Sequence, residues 1–398
     1  MNAATDLPGK RGSDVRKPEI LMTPGPTPVP PEVLLAQGSP IVYHRGPGYA
    51  EVLRECTEGL QWLLNTSNDV LTYTSSGSGG MECAVVNCFS PGDRVLVVSV
   101  GNFGERFAKI CKSYGLDVKL LEYEWGQVAK AADVAAALEP GLKGVLIQHS
   151  ETSTGVVNDI EAIAAAVRDH PALFIVDTIS GLGATPLRVD DWGIDVAIGG
   201  VQKGLMMSPG IAFVSVSEAA WRAHEAATCP RFYFDWTPVR DAYNRKEPEN
   251  PYTPAVSLYL GLREAIRLIR EEGIDNVFSR HQRLSRAVKE GVRALGLDLV
   301  GEDLDRAVCV TAIRAPEGID GDELTARVRS RFGIVFAPGQ GKWKGTIFRV
   351  GHLGYLDDGD ILQGLAALET CLHEMDYPVK RGSAVAAAEE VFSKGHGR

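Results

Sequence analysis

Between residues 70 and 217, short apolar runs alternate with segments whose apolar positions recur every three or four residues. The runs are rich in β-branched residues and lack strict polar alternation, which predicts strands buried on both faces. They lie at 94–100, 117–123, 144–149, 172–177, 195–200 and 211–217. Helical spacing lies between them at 105–115, 128–140 and 159–170. The alternation predicts an α/β fold with a mostly parallel sheet covered by helices.

The second half of the chain has a different organisation. A long helical pattern runs from Ser257 to about Leu295, with a break at Gly273. The order strand, helix, strand, helix then follows, which predicts a smaller C-terminal α/β domain. We therefore expect four parts: a flexible N-terminal segment over 1–20, a large domain over 21–280, a small domain over 281–378 and a loosely packed tail over 379–398.

Composition and charge narrow the class of protein. Of 398 residues, 44% are hydrophobic and 23% charged, as in globular proteins, and no apolar run is long enough for a membrane span. The net charge of −10 argues against a nucleic-acid or anionic-membrane partner. The first twenty residues lack the apolar stretch of a signal peptide. Seven cysteines form no CxxC pair or Cys/His cluster, so we expect buried thiols, no metal site and a cytoplasmic location.

A stretch of small residues, "TSSGSGG" at 74–80, separates the apolar run "DVLTY" from a helical pattern. In open α/β sheets, ligands bind at the carboxyl ends of strands. Backbone N–H groups at such a helix N-terminus bind phosphate, and the hydroxyls of Ser76 and Ser78 are further donors. A Gly/Ser linker is an equally consistent interpretation.

Three charged residues also lie at or near strand ends or within a strand: Asp177, Lys203 and Arg349. A buried carboxylate needs a partner such as a protonated heterocyclic nitrogen, a buried amine can bind an aldehyde, and a guanidinium suits a carboxylate. Each has a simpler alternative: a helix cap, a surface charge and an exposed edge-strand arginine. Together with the phosphate loop they indicate pyridoxal 5'-phosphate and an amino-acid substrate.

Eight stretches in order resemble one family over residues 20 to 370. The chain is similar to the class V aminotransferases of fold type I, within them the alanine-glyoxylate and serine-pyruvate or serine-glyoxylate branch. The stretches are "TPGPTPVPPEVL", "YHRGP", "SSGSGGMECAVVN", "PGDRVLVVSVGNFGERF", "HSETSTGV", "VDTISGLGATPLRVDDWGIDVAIGGVQKGLMMSPG", "YTPAVSLYLGLREAIRLI" and "FRVGHLG". The resemblance implies a seven-stranded, mostly parallel sheet in the large domain, and a homodimer with shared active sites.

The resemblance also implies roles for particular positions. Lys203 would bind the cofactor's aldehyde and act as base, Asp177 would pair with the pyridine nitrogen, and Arg349 would bind the substrate carboxylate. The remaining cofactor contacts implied are to the phosphate (Ser76, Gly77, Ser78, Gln202 and, from the neighbouring subunit, Thr253), to the two ring faces (Phe103, Ile179) and to the phenolic oxygen (Thr152).

Four positions depart from the family pattern and bear on the substrate more than on the cofactor. Val201 stands where the family often has serine, and Phe103 where this branch has tryptophan. Ser78 replaces a histidine or threonine, and Tyr252 lies directly beside Thr253, where the branch places a tyrosine further upstream.

The expected activity is ping-pong transfer of an amino group from alanine or serine to glyoxylate or pyruvate. Aspartate is the alternative donor, because Arg45 and Arg231 are unassigned. A cysteine desulfurase would need a thiol in the loop 336–345, which has none. A regulator with the fold of a pyridoxal-phosphate enzyme would carry a nucleic-acid-binding segment. A nucleotide-binding protein would carry a glycine-rich fingerprint. Both alternatives are therefore disfavoured. We expect His44 and His149 to be structural, with satisfied hydrogen bonds.

Overall fold

The computed structural model describes residues 18–395. Most of the predicted flexible segment 1–20 and the last three residues of the predicted tail therefore lie outside the described residues. Within 18–395, no helix combines the length and the apolar character that crossing a bilayer requires.

A seven-stranded sheet forms the centre of the larger part of the molecule, as predicted. Its strand order is β2-β8-β7-β6-β5-β3-β4, and β8 runs antiparallel to both of its neighbours while the other pairs are parallel. The strands are β2 (Asp69–Thr74), β3 (Arg94–Ser99), β4 (Asp117–Glu122), β5 (Leu142–Gln148), β6 (Leu173–Asp177), β7 (Val196–Gly200) and β8 (Ile211–Val216).

Helices cover both faces of this sheet. Alternate residues of one strand enter different apolar clusters: Val176 packs on one side, Ile175 on the other. This explains why the strands read as continuous apolar runs. The helices are α1 (Pro31–Gln37), α2 (Pro47–Leu64), α3 (Gly77–Cys88), α4 (Asn102–Ser113), α5 (Ala131–Ala137), α6 (Ile160–Val167), α7 (Val189–Trp192), α8 (Glu218–Ala226), α9 (Trp236–Tyr243) and α10 (Val256–Glu272).

The C-terminal part contains a four-stranded antiparallel sheet in the order β12-β13-β10-β9. Two further short strands, β1 and β11, pair in parallel and attach the N-terminal segment to this part. The strands are β1 (Ile20–Leu21), β9 (Leu299–Val300), β10 (Val310–Arg314), β11 (Ile334–Val335), β12 (Ala337–Pro338) and β13 (Ile347–Gly351). The helices are α11 (Ile274–Ala294), α12 (Gly321–Phe332), α13 (Asp358–Glu374) and α14 (Ser383–Gly395), with a 3-10 turn at Gly341–Trp343.

The break at Gly273 is confirmed, because this glycine has a φ of 82° and separates α10 from α11. The predicted domain boundary near residue 280 falls within α11 and stays a prediction.

The prediction of a loosely packed tail is wrong for residues 383–395. They form α14, which lies against α11 and α13 and buries Ala384, Ala388 and Phe392. These residues recur every four positions, so they form one apolar stripe on the helix. Glu369 of α13 accepts hydrogen bonds from the backbone N–H groups of Gly382 and Ala384, which fixes the start of the helix.

Candidate active site

The carboxyl ends of three parallel strands define the site. Gln148 at the end of β5 lies opposite Asp177 at the end of β6, and Asp177 lies opposite Ile198 of β7. Lys203 follows β7 by three residues. The sheet register therefore brings Asp177 and Lys203 to one edge, as the sequence predicts.

Lys203 is a buried amine, and not an ordinary surface charge. Its side chain is 8% exposed, and Nζ donates a hydrogen bond of 2.7 Å to the carbonyl oxygen of Pro24. Burial lowers the pKa of Lys203 to about 8; nearby Arg349 acts in the same direction and Asp177 opposes it. With this pKa, about a tenth of the amine is neutral at pH 7.

An N-terminal segment that received no role from the sequence covers Lys203. A Cβ atom on Gly25 would lie 3.0 Å from Lys203 Cγ, and the Thr27 hydroxyl donates to the Lys203 carbonyl oxygen at 3.0 Å. "TPGPTP" was part of the family resemblance, but no residue-level signal connected it to a lysine nearly 180 positions away.

Asp177 is a buried carboxylate with one hydrogen bond among the described residues, from the backbone N–H of Ile179 to Oδ1 at 2.9 Å. This bond closes a local turn, and the next helix, α7, begins only at Val189, so the helix-cap alternative is wrong. Burial raises the pKa of Asp177 to about 7, and Lys203 and Arg106 oppose the rise. A cation placed next to this carboxylate would keep it ionised.

The loop at 76–78 is the N-terminus of α3, so the alternative of an unstructured linker is wrong. Ser76 is the N-cap residue and makes no side-chain cap, and the N–H groups of Gly77 and Ser78 have no acceptor among the described residues. A Cβ on Gly77 would lie 2.5 Å from Ile179 Cδ1, so a larger residue here would require the Ile179 side chain to shift. The free N–H groups suit an anion such as phosphate.

Two further polar side chains lie near this loop. Gln202 Oε1 is buried and has no hydrogen-bond partner among residues 18–395. A Cβ on Gly200 would contact both Gln202 Oε1 and Ile179, so these two side chains lie together. Arg106, which sequence reasoning missed, donates to Ser78 Oγ at 3.0 Å. Its position one turn after Phe103 in α4 was the only available signal.

Phe103 and Thr152 lie at the same edge. The Phe103 ring centroid is 6.0 Å from Lys203 Nζ and 4.5 Å from the Arg106 guanidinium. The hydroxyls of Thr152 and Ser180 form a hydrogen bond of 2.5 Å. An aromatic ring thus lies close to the buried amine, and the Thr152 hydroxyl lies in the turn that follows β5.

Arg349 is 3% exposed and lies on β13, which has neighbours on both sides, so the edge-strand alternative is wrong. Nε and Nη2 donate to the Pro338 carbonyl oxygen at 3.1 and 2.8 Å, and Nη1 donates to that of Thr152 at 2.9 Å. One N–H remains on each terminal nitrogen. Burial lowers the pKa of Arg349 to about 10. No carboxylate of the described residues forms an ion pair with it, so the site suits an external carboxylate.

The unassigned arginines are not part of this cluster. Arg231 donates to the carbonyl oxygens of Val86, Ala227 and His224, so it belongs to the framework. Arg45 forms an ion pair of 2.8 Å with Glu249.

Three other residues named from the sequence are His149, Thr253 and His44. His149 is buried, but its Nδ1 has no partner in the described part of the chain, so the prediction of a satisfied histidine is wrong for that nitrogen. Burial lowers the pKa of His149 to about 4, so the ring is neutral. Thr253 is exposed. His44 is half-buried and contacts the Tyr43 ring edge to face.

The cysteines are all buried, as predicted. Cys309 packs with Ala184, Val308 and Leu353, and burial raises its pKa to about 11. It is therefore a poor nucleophile, which fits a packing role. Within residues 18–395, no three His, Cys, Asp or Glu side chains form a group able to hold a metal ion.

Comparison with known proteins identifies the family of this chain. The model of the family described as aminotransferase class-V matches residues 22–341. The chain belongs to the class V aminotransferases. This aminotransferase, a transaminase, is 42% identical to the soluble hydrogenase small subunit of Synechococcus sp., with 94% of this chain and 98% of that protein covered.

Two relatives carry aminotransferase names. The chain is 38% identical to the L-aspartate-glyoxylate aminotransferase of Paracoccus denitrificans, covering 94% of this chain and 96% of the relative. It is 34% identical to the serine-glyoxylate aminotransferase of Arabidopsis thaliana, covering 92% and 94%. The ureidoglycine-glyoxylate aminotransferase structure from Bacillus subtilis superposes with a TM-score of 0.91 at 33% identity, covering 96% of this chain and 100% of that one. The predicted fold type is confirmed.

Proposed function

We propose that this aminotransferase uses pyridoxal 5'-phosphate to move an amino group from alanine or serine to glyoxylate or pyruvate, in a ping-pong reaction. The observation that carries the proposal is Arg349: a buried guanidinium with two free N–H groups, near a buried lysine whose pKa is lowered.

The residues present fit the cofactor. The free N–H groups of Gly77 and Ser78, the Ser76 and Ser78 hydroxyls and the side-chain N–H groups of Gln202 would donate to the phosphate. The rest of the cofactor would contact Asp177 at the pyridine nitrogen, Thr152 at the phenolic oxygen, Phe103 and Ile179 on the two ring faces, and Lys203 at the aldehyde carbon. When bound, pyridoxal phosphate supplies an electron sink for the carbanion formed at the substrate Cα.

Lys203 is the proposed base. With a pKa of about 8, its free amine is partly neutral near pH 7 and can take a proton from the substrate Cα. The Pro24 carbonyl oxygen accepts from Nζ at 2.7 Å and limits the directions in which the amine can point. Arg349 would fix the substrate by its carboxylate, leaving Cα toward Lys203.

The choice of a small neutral donor rests on the neighbouring cations. Arg106 contacts Ser78, Arg231 donates to three backbone carbonyls, and Arg45 is paired with Glu249. Arg106, like Arg349, forms no ion pair among the described residues, but its hydrogen bond to Ser78 Oγ assigns it to the phosphate region and not to a side-chain carboxylate. The alternative donor is aspartate, which the name of the Paracoccus relative favours.

The donor is tested by the half-reaction. L-alanine, L-serine or L-aspartate is added to the cofactor-loaded protein without a keto acid, and the visible absorption of bound pyridoxal phosphate is followed. We expect alanine or serine to remove the absorption at the lowest concentration. Removal by aspartate alone would transfer the assignment to the alternative donor.

We also propose a homodimer with shared active sites, in which Thr253 reaches the partner's phosphate loop. Thr253 is exposed, and the most exposed large hydrophobic side chains among the described residues are Leu35, Ile41, Tyr43 and Phe232. Mixed dimers of Lys203→Ala and Thr253→Ala test the sharing. Contact across the interface predicts recovery of one intact site per mixed dimer, whereas contact within one chain predicts none.

The location of the enzyme is a further proposal. Seven buried cysteines without a disulfide fit a reducing, cytoplasmic compartment.

A further inference from the structure

Glu151 is a fully buried carboxylate in the turn that follows β5, with no exposed side-chain surface. Each of its two carboxylate oxygens accepts two hydrogen bonds. Oε2 accepts from the backbone N–H groups of Phe103 and Gly104 at 3.0 and 3.1 Å. Oε1 accepts from Ser153, through its backbone N–H at 3.0 Å and its hydroxyl at 2.6 Å.

One pair of these bonds caps α4 from a distant part of the chain. The N-cap residue of α4, Gly101, has no side chain to bond the free N–H groups of the first turn. Glu151 takes that place, and a Cβ on Gly101 would lie 2.5 Å from Glu151 Cγ. A negative charge at a helix N-terminus is favourable, so the carboxylate fixes the turn that carries Phe103.

The other pair of bonds fixes the turn that holds Arg349. Ser153 Oγ accepts from the Asn102 backbone N–H at 3.0 Å, which closes a ring of hydrogen bonds around Glu151. Thr152 lies between Glu151 and Ser153, and its carbonyl oxygen accepts from Arg349 Nη1 at 2.9 Å. The orientation of Arg349 therefore depends on a peptide held at both sides by this ring.

Replacing the Glu151 carboxylate by an amide would remove some of these hydrogen bonds. Four donor groups converge on Glu151, and glutamine would present a donor to two of them. Burial lowers the pKa of Arg349, and the Glu151 carboxylate opposes that change by favouring the charged guanidinium.

We propose that Glu151 is a positioning residue: it holds the helix that carries Phe103 and the peptide that orients Arg349 in one arrangement, and so sets the affinity for the substrate carboxylate. This inference rests on the proposed function of Arg349 as the carboxylate-binding residue.

The test compares Glu151→Gln with Glu369→Gln. Glu369 is a buried carboxylate that also accepts from backbone N–H groups at a helix N-terminus, but it lies in the small C-terminal part, on α13. Both variants lose a cap, so both should lower the melting temperature. We expect Glu151→Gln to raise KM for the amino acid and the keto acid about tenfold or more, with a smaller change in kcat. Glu369→Gln should leave both KM values unchanged.

A second readout does not need catalysis. Propionate, an unreactive monocarboxylate, is titrated against the full chain with and without pyridoxal phosphate, and the thermal shift is measured. We expect Glu151→Gln to lose at least half of the shift that wild type and Glu369→Gln retain. If Glu151→Gln does not fold, Ser153→Ala is measured in the same way; it removes one hydroxyl, which donates to Glu151 Oε1 and accepts from the Asn102 N–H.

The outcomes separate the two proposals. Unchanged KM values and an unchanged propionate shift in the Glu151 or Ser153 variant would overturn the positioning role while the proposed function stands. A Glu151-dependent propionate shift in a protein whose wild type shows no amino-acid half-reaction would contradict the proposed function and support the positioning role.

Discussion

Two buried lysines in this protein have similar acidity and different surroundings. Lys203 in the large part is 8% exposed and Lys289 on α11 is 6% exposed, and burial lowers the pKa of each to about 8. Lys289 Nζ donates to the carbonyl oxygens of Leu304 and Ala307, whereas Lys203 donates to a single carbonyl, at a strand end near Asp177. A lowered pKa therefore does not identify a functional amine; its neighbours do.

The largest effect should separate these two lysines. Lys203→Ala should lower kcat about 10³- to 10⁴-fold, because the proposed base is lost. Lys289→Met should keep kcat within about twofold and lower the melting temperature, since two buried carbonyl oxygens lose their donor. Steady-state kinetics and thermal unfolding of both variants measure this. Comparable losses of kcat in the two variants would remove the distinction.

Substitution of Asp177 should give the next largest effect: activity should fall and stability should rise. Asp177→Asn should lower kcat at least about 10²-fold if the carboxylate supports the cofactor's ring nitrogen. Because burial raises the pKa of Asp177 from 3.8 to about 7, ionisation costs stability as pH rises through this range. At pH 8 the variant without cofactor should be more stable by about 1–3 kcal/mol.

The control for this prediction is pH. At pH 4 Asp177 is protonated in the folded wild type, so the stability gain of Asp177→Asn should nearly vanish. Chemical denaturation at both pH values measures it, and a variant that is less stable at pH 8 would contradict the account of a costly buried charge.

Arg349 tests whether the site binds a carboxylate. Arg349→Ala should raise KM for the amino acid about 100-fold, corresponding to loss of a buried charge pair. Arg231→Ala is the comparison, because Arg231 donates to framework carbonyls. Arg231→Ala should lower the melting temperature and leave KM unchanged. A similar KM rise in both variants would point to general distortion of the fold.

The pH profile is the smallest effect. Below the lowered pKa of about 8, the neutral fraction of Lys203 falls about tenfold per pH unit. The rate of the amino-acid half-reaction should therefore rise from pH 6 and level off above pH 8. A rate that falls as pH rises through 8 would be inconsistent with a neutral Lys203 acting as base.

The parts of the site that the sequence predicted correctly are those that local pattern and sheet topology place. Asp177 ends an apolar run and Lys203 follows the next one, so parallel strands bring them together. The helix N-terminus at 76–78 was predictable because small residues precede a helical pattern.

Other contacts depend on chain segments far apart in sequence. Pro24 contacts Lys203 across nearly 180 positions of the chain. Glu151 caps the helix that carries Phe103 across nearly 50 positions. No local periodicity in the sequence indicates either contact. The packing of α14 was not predicted for a different reason: the segment is rich in alanine, so its composition gives only a weak apolar signal.

The most direct test of the central claim is the visible absorption spectrum of the purified protein incubated with pyridoxal phosphate, before and after L-alanine or L-serine. We expect wild type to gain a visible band that the amino acid removes. Lys203→Ala should gain no such band, and Lys289→Met should behave as wild type. A wild-type protein without the band, or a Lys203→Ala protein with the same band and the same response, would contradict the assignment of Lys203.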